Sequence, residues 1–575
     1  MMIKRMICFA LILVAFACKK EKKASEEVKV DPEIVPTTPA DPETAKTQGI
    51  FLDDWVVKNF VAPAYDLVAQ TSSVAIITVT IDGNTILTKV PKYLFGTNTN
   101  PYIGQMVTEP ILINHLKDLA PTIIRFPGGN ISSIYFWNAL VNSPPADAPV
   151  KIYNGDNVIA DAGYWYGKNT SSWTLSLDNY YSMLQQTQST GIITVNYGYA
   201  RYGTAANPVT AAAHLAADWV RYDKGRTKYW EIGNESNGTW QAGYRIELSQ
   251  NKDGQSEYIT GDLYGRHFKV FADSMKKAAQ DIGKTIYIGA QLLAEAPASW
   301  ATATDKTWNA GVLSQAGNTP DYHIIHSYYT PYNTNSNVSD ILGSAVTMTK
   351  SMVEYVKQMA QANGVAEKPL ALTEWNIFAV GSKQMVSNIV GIHADMVLGE
   401  LLKNKYGMAS RWDIANGYNN GDDHGMFGLG DEGNGTSKWN PRPVFYHMYY
   451  FQKYFGDRML ASEVQGNSDI VSYASSYSSG EVGAVLINKG ATAQTVKILV
   501  KNFNPGSRYY WYTLTGGSDN GNFSPKVYVN AIGPNETTGG PSTYKQIKAY
   551  AVAAQGEIKL DLPARASVYL VIDKK

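Results

Sequence analysis

Two short segments hold the residue types best suited to chemistry. WEIGNESNGTW (230–240) groups Glu231, Asn234 and Glu235 with two tryptophans around glycine, and LTEWN (372–376) sets Glu374 beside Trp375. A surface helix has little use for such a mixture. Cutting a glycosidic bond does: it needs an acid to protonate the leaving oxygen and a carboxylate to meet the developing cation. Glu235 is then the proton donor and Glu374, 139 residues further on, its partner carboxylate. Glu231 is read as a structural partner, not as a second acid.

Carboxylates so far apart in the chain need a scaffold that brings strand ends together. Short apolar runs ending in polar or glycine-rich loops recur at 93–98, 122–129, 191–198, 228–235, 285–291, 322–329, 370–376 and 408–414. Between them lie segments such as AAAHLAADWVRY and YGRHFKVFADSMKKAAQDIG, apolar at helical spacing. Eight strand–helix units predict an α/β fold, a (β/α)8 TIM barrel, whose active site is built from the C-terminal strand ends. Glu235 ends the fourth strand and Glu374 the seventh, so both face one mouth. An open doubly wound sheet is the alternative, but no strand is followed by GxGxxG or a phosphate loop.

The motifs carry a resemblance. WEIGNE and LTEWN are similar to the acid/base and nucleophile segments of retaining glycoside hydrolases of the (β/α)8 clan with carboxylates on strands four and seven. Family 51, the α-L-arabinofuranosidases, is nearest, with families 39 and 79 behind. RFPGGNISSIYFWN (125–138) resembles the family 51 segment in which an arginine, a Pro-Gly-Gly turn and later aromatics shape the subsite beside the nucleophile. The resemblance spans roughly residues 93–455. It implies Asn234 on the sugar 2-hydroxyl, Arg125 beside Glu374 holding it ionised, and Glu235 kept protonated in a less polar setting. His326 and Tyr328 match positions that orient the nucleophile or sugar; Trp137, Trp240 and Trp375 are candidates for the pocket wall. Asn130 and Thr373 depart from family 51, which usually has cysteine and often an acidic residue there, and this leaves the sugar open.

No metal or organic cofactor is expected. His323 and His326 have an H-x-x-H look, but that spacing on a strand turns the rings to opposite faces. The loop NGYNNGDDHGMFGLGDEGNG (416–435) follows the eighth strand and lacks the regular D-x-D-x-D-G spacing of a calcium hand. It offers Asp422, Asp423 and His424 for substrate contact.

Beyond about residue 460, apolar and polar residues alternate between Gly, Asn and Pro turns. This predicts a C-terminal antiparallel β-sandwich over 456–575. VAIITVTIDGNTILTKV reads as a hairpin around Asp82-Gly83-Asn84, part of an N-terminal segment (51–90) expected to join that sheet. The barrel is assigned 91–455.

Fifty basic against fifty acidic side chains argue against nucleic acid or an anionic membrane face as the main partner. A neutral ligand fits better, and 38 Tyr and 13 Trp suit packing on sugar rings. The partner expected is a polysaccharide or oligosaccharide of plant or algal origin. Residues 1–17 read as an export signal: Lys4 and Arg5, then an apolar run too short to span a bilayer, then Cys18. The run into Cys18 resembles the lipobox of bacterial lipoproteins, which implies acylation of Cys18. A lipid anchor is the only membrane contact expected, placing the protein in the cell envelope, on either face of the outer membrane. KKEKKASEEVKV and the Pro/Thr-rich stretch after it predict a disordered tether over 18–50. Both cysteines, Cys8 and Cys18, lie in the leader, so stability must come from packing without disulfides. An exo-acting arabinofuranosidase, an endo-β-glycanase of the same clan, and a lipid-anchored glycan-binding protein without catalysis are the alternatives left open.

Overall fold

The computed structural model describes residues 39–418, 424–517, 523–554 and 556–575. The signal segment, Cys18, most of the expected tether, and Asp422 and Asp423 lie outside the described residues. Eight parallel strands close into a barrel: β1 (Gly96–Asn98), β2 (Ile123–Phe126), β3 (Thr190–Val195), β4 (Thr227–Ile232), β5 (Tyr287–Gln291), β6 (Tyr322–Tyr328), β7 (Leu370–Asn376) and β8 (Met408–Arg411). Each pairs with the next, and β8 pairs with β1 through Ser410 and Gly96. Helices cover the outside, so most strand residues are buried whichever way they point. Asn207, Thr260 and Asn337 start the helices Pro208–Asp223, Gly261–Asp281 and Val338–Ala362, each accepting the backbone N–H three residues on.

The N-terminal end of the barrel is closed by a segment expected to be tether. Residues 39–50 are folded: Asp41 pairs with Arg458 at 2.5 Å, and Thr47 donates to the Lys405 carbonyl at 2.8 Å. The short 3-10 turn Gly49–Leu52 then inserts Phe51, wholly buried, among Tyr93, Tyr229, Tyr322 and Met408 at the strand starts. Its ring centroid is 5.2 Å from Tyr229 and 5.3 Å from Tyr322. A barrel end left open would expose these rings, and the apolar Ile50 and Phe51 supply the cover.

The hairpin is also corrected. Ile77–Lys89 is one continuous strand, antiparallel to Arg458–Gln465 along both of its halves. Leu460 pairs with Ile86 and Ala461 with Asp82, so residues 83–85 bulge out instead of reversing the chain. The Asp82 carboxylate accepts the Asn84 N–H at 3.0 Å and the Thr85 hydroxyl at 2.8 Å, satisfying the bulge locally.

The C-terminal region forms a curled eleven-stranded sheet that the N-terminal strands complete. It is mixed, not purely antiparallel: Tyr65–Leu67 runs parallel to Ala549–Ala553, and Ile77–Lys89 parallel to Gln494–Lys501. The last barrel helix, Pro443–Tyr454, and helix Asn388–Lys403 lie against this sheet. There His447 Nδ1 meets Asp395 Oδ2 at 2.7 Å, and the Tyr569 hydroxyl donates to the same oxygen at 2.7 Å. All three are buried and form a polar joint between barrel and sheet. No helix of the described residues is long and apolar enough to cross a membrane.

Candidate active site

The C-terminal rim gathers the expected residues. β4 ends at Ile232, and the chain turns at Gly233, whose φ is 76° and whose missing Cβ would lie 2.6 Å from Ser236 Oγ. Only glycine fits such a turn without strain. Asn234 and Glu235 follow, Glu235 itself in the left-handed region at φ 41°. A non-glycine residue held there costs of order 1–3 kcal/mol and marks a position fixed by its surroundings. Glu374 comes from β7, directly beside His326 of β6 in the pairing register.

One oxygen of Glu235, one of Glu374 and one ring nitrogen of His326 lie within 4.8 Å of each other. His326 Nδ1 is 3.0 Å from Glu235 Oε1, while its Nε2 faces Thr373 Oγ1 at 3.1 Å, which fixes the ring plane. Trp240 Nε1 donates to Glu235 Oε2 at 2.9 Å. Its indole can fold back so far because residue 238 is glycine: a Cβ there would stand 2.5 Å from Trp240 Cε2. The Tyr328 hydroxyl donates to Glu374 Oε1 at 2.7 Å.

Arg125, on β2 and wholly buried, ties the site together. Its Nη1 donates to Glu374 Oε2 at 3.2 Å and to Asn98 Oδ1 at 3.1 Å, its Nη2 to Asn234 Oδ1 at 2.7 Å, and its Nε to Glu231 Oε2 at 2.6 Å. Glu231 also accepts the Thr194 hydroxyl at 2.7 Å and is the structural partner expected. Asn98 in turn donates to the carbonyls of Thr373 and Ser410, locking the start of the ring of strands to its end.

Two pocket-wall expectations are corrected. Trp375, one residue past Glu374 on a strand, points to the other face and is 1 % exposed. Trp137 donates to the Leu215 carbonyl at 3.0 Å and stacks on Trp219 at 5.8 Å, so it packs on a helix, not on the mouth. Trp240, 52 % exposed, is the tryptophan that reaches the site. His424 is buried edge-on to Tyr328, with ring centroids 5.2 Å apart, and backs the nucleophile's partner. His323 is buried on the side away from the mouth, its ring pushed down to about 4 by burial. Asn98, Thr194 and Trp412, which lies against the Gly129 turn, are additional rim residues. Asn98 ends the first strand run, the position that flagged Glu235 and Glu374; Thr194 and Trp412 carry no comparable signal.

The protonation order also differs from expectation. Burial acts to raise Glu235, but the hydrogen bond and charge of His326, with the Trp240 N–H, bring it below the ordinary carboxylate value. Burial raises Glu374; the His326 charge opposes this, the Glu235 charge adds to it, and Arg125 and Tyr328 do not reverse it. Arg125 cannot hold Glu374 down by itself because its closest bond is to Glu231, whose carboxyl it lowers against burial.

The trio Glu235, His326 and Glu374 could offer three ligand atoms to a metal ion. However, Arg125, Tyr328 and Trp240 already direct donors at the two carboxylates, and a cation would have to sit against a guanidinium. The donor set suits organic substrate better than metal.

The α-L-arabinofuranosidase 1 domain family matches residues 115–345. The chain is similar to the family 51 glycoside hydrolases. It is 25 % identical over 288 residues to the intracellular exo-α-(1→5)-L-arabinofuranosidase of Streptomyces lividans, covering 47 % of this chain and 37 % of that protein. The chain spans about half or less of the length of the curated relatives it matches from Streptomyces lividans, Acetivibrio thermocellus and Bifidobacterium longum. A family 51 α-L-arabinofuranosidase structure from Bifidobacterium longum aligns over 87 % of this chain and 100 % of its own at 16 % identity, TM-score 0.59. A bifunctional glucanase-xylanase, CelM2, from a metagenome library aligns over 88 % and 100 % at 13 % identity, TM-score 0.58. The family match takes in Arg125 and Glu235 and ends before Glu374, and the barrel with its C-terminal sheet is a fold shared with arabinofuranosidases and glycanases alike.

Proposed function

We propose that the protein is a retaining glycoside hydrolase that removes α-L-arabinofuranosyl units by double displacement. The observation that carries this is the approach of the Glu235 and Glu374 carboxylates to within 4.8 Å. Retaining sites hold the pair about 5–5.5 Å apart, and inverting ones about 6.5–9.5 Å, to admit a water. Glu374, oriented by Tyr328 and Arg125, attacks the anomeric carbon as Glu235 protonates the departing oxygen; Glu235 then takes a proton from water, which releases the sugar with its configuration kept. The Asn234 carbonyl is occupied by Arg125, which leaves its amide N–H to donate to the 2-hydroxyl. A substrate that displaces Glu235 from His326 and Trp240 removes the contacts that lower its pKa, so binding itself promotes the protonated form. The exo character in the relatives' names supports release of single sugars from chain ends.

Two further parts are proposals. The leader into Cys18 supports lipid attachment in the cell envelope, although the relatives' names describe intracellular enzymes; palmitate labelling lost in Cys18→Ser tests this. The endo-glycanase alternative draws support from the glucanase-xylanase neighbour. Digestion of arabinans, xylans, β-glucans and algal galactans by wild type and Glu374→Ala distinguishes them: free arabinose lost in the variant supports the exo reading, an oligomer ladder the endo one. Wild type and variant alike on every substrate cleaved would overturn the nucleophile assignment.

A further inference from the structure

Beside the mouth, the chain on both sides of Trp240 lines a cavity of about 230 Å³. Tyr153, Asn157, Gln241, Tyr244, Arg245 and Tyr258 form its walls. Two separate segments build it. The excursion 237–258 follows Glu235, and the two-stranded hairpin of Lys151–Tyr153 with Ile159–Asp161 docks on it: a Cβ at Gly155 would lie 3.2 Å from Trp240 Cα.

Three observations define what the cavity accepts. Gln241 is 2 % exposed; its Oε1 accepts from Ser133 Oγ at 3.0 Å, and its buried Nε2 has no hydrogen-bond partner among the described residues. A buried donor left unpaired is costly, so a ligand oxygen here is favoured. The walls are aromatic: Tyr244 and Tyr258 meet edge-on at 5.7 Å, and the Arg245 guanidinium lies 4.2 Å over Tyr153. The one cation is already neutralised, since Arg245 bonds Glu257 at 2.6 Å and Asn157 Oδ1 at 3.0 Å. Flat apolar walls, an orphan donor and no spare charge suit a neutral polyhydroxylated ring and disfavour an anion.

We propose that this cavity is a subsite for a neutral sugar residue on the leaving-group side of the scissile bond. The assignment rests on Glu235 being the acid: Trp240 bonds Glu235, and its neighbours Thr239 and Gln241 line the cavity, which sets the cavity on the acid's side of the site. The substrate is then an oligosaccharide or side-chain-bearing polysaccharide, and a small aryl leaving group leaves the subsite unused.

Tyr153→Ala and Tyr258→Ala test this in the full chain, with Tyr258→Phe keeping the ring. Calorimetric titration of arabinotriose and xylotriose into Glu374→Ala, alone and combined with each variant, reads binding. The ratio of kcat/KM on arabinotriose to that on 4-nitrophenyl arabinofuranoside reads use of the subsite. Each alanine variant should weaken binding of at least one trisaccharide about tenfold and lower the ratio about tenfold, mostly through KM, while Tyr258→Phe retains both. Binding and ratio unaltered in both alanine variants would overturn the subsite. If the wild type cleaves neither substrate but the alanine variants still lose trisaccharide binding, the subsite stands and the arabinofuranosidase reading falls.

Discussion

Arg125 binds Glu231 more tightly than it binds Glu374: Nε to Glu231 Oε2 is 2.6 Å, Nη1 to Glu374 Oε2 is 3.2 Å. The guanidinium is first the counter-ion of a wholly buried carboxylate and only then a partner of the nucleophile. Burial and the neighbouring Glu235 charge keep Glu374 above its ordinary pKa, and a cation shared in this way does not reverse them.

Glu231→Gln releases that charge to Glu374. Glu374 is the higher of the two carboxyls in the free enzyme, so the high-pH limb of kcat/KM carries its pKa; this limb should move down by roughly one pH unit. The fold should lose about 3 kcal/mol, because a buried cation keeps fewer anionic partners. A pH–rate profile checks the first point and urea unfolding the second.

His326→Ala acts on the other limb. The imidazole lowers Glu235 by hydrogen bond and charge, so its loss lets burial raise that carboxyl. Glu235 is the lower carboxyl of the pair in the free enzyme, so the low-pH limb of kcat/KM carries its pKa and should shift to higher pH. The maximum should fall about 100-fold as the ring that positions the acid is lost. A low-pH limb that stays in place would show that His326 does not tune the acid.

Glu374→Gln should stabilise the protein at neutral pH. A carboxyl whose folded pKa is raised gives its full stabilisation below its unfolded value, and this is lost as pH rises through the folded value. The gap in Tm between Glu374→Gln and wild type should thus widen from below pH 4.5 toward pH 7, measured by calorimetry at a series of pH values.

Phe51→Ala should cost about 3–5 kcal/mol, because a ring packed among the strand starts leaves a cavity the barrel cannot close. Urea unfolding monitored by tryptophan fluorescence measures it. A loss below about 1 kcal/mol would mean that the turn at residues 49–52 only lies on the barrel.

The barrel was legible because each strand carries a buried apolar run with a polar or glycine end, and Glu235, Glu374, Arg125 and Asn234 all sit at such ends. His326 and Tyr328, at the end of the sixth strand, came from the resemblance to family 51 positions. Residues 39–50 were not legible: a polar, proline-containing stretch reads as tether, and the single Phe51 that follows and docks it has no periodic signal. Asp82-Gly83-Asn84 has true turn chemistry, but the strand continues because both halves find the same partner. The misplaced tryptophans have a similar cause, since type and nearness in sequence to a catalytic segment do not say which face a side chain takes. The protonation order depends on burial and on how His326, Trp240 and Arg125 are distributed between the two carboxylates, which only the folded distances give.

The stereochemistry of the first product tests the paired-carboxylate mechanism most directly. Proton NMR of an aryl α-L-arabinofuranoside during early turnover should show the α-anomer of arabinose first, with the β-anomer growing only by mutarotation, and Glu374→Ala should form neither. The β-anomer appearing first would contradict double displacement between Glu235 and Glu374.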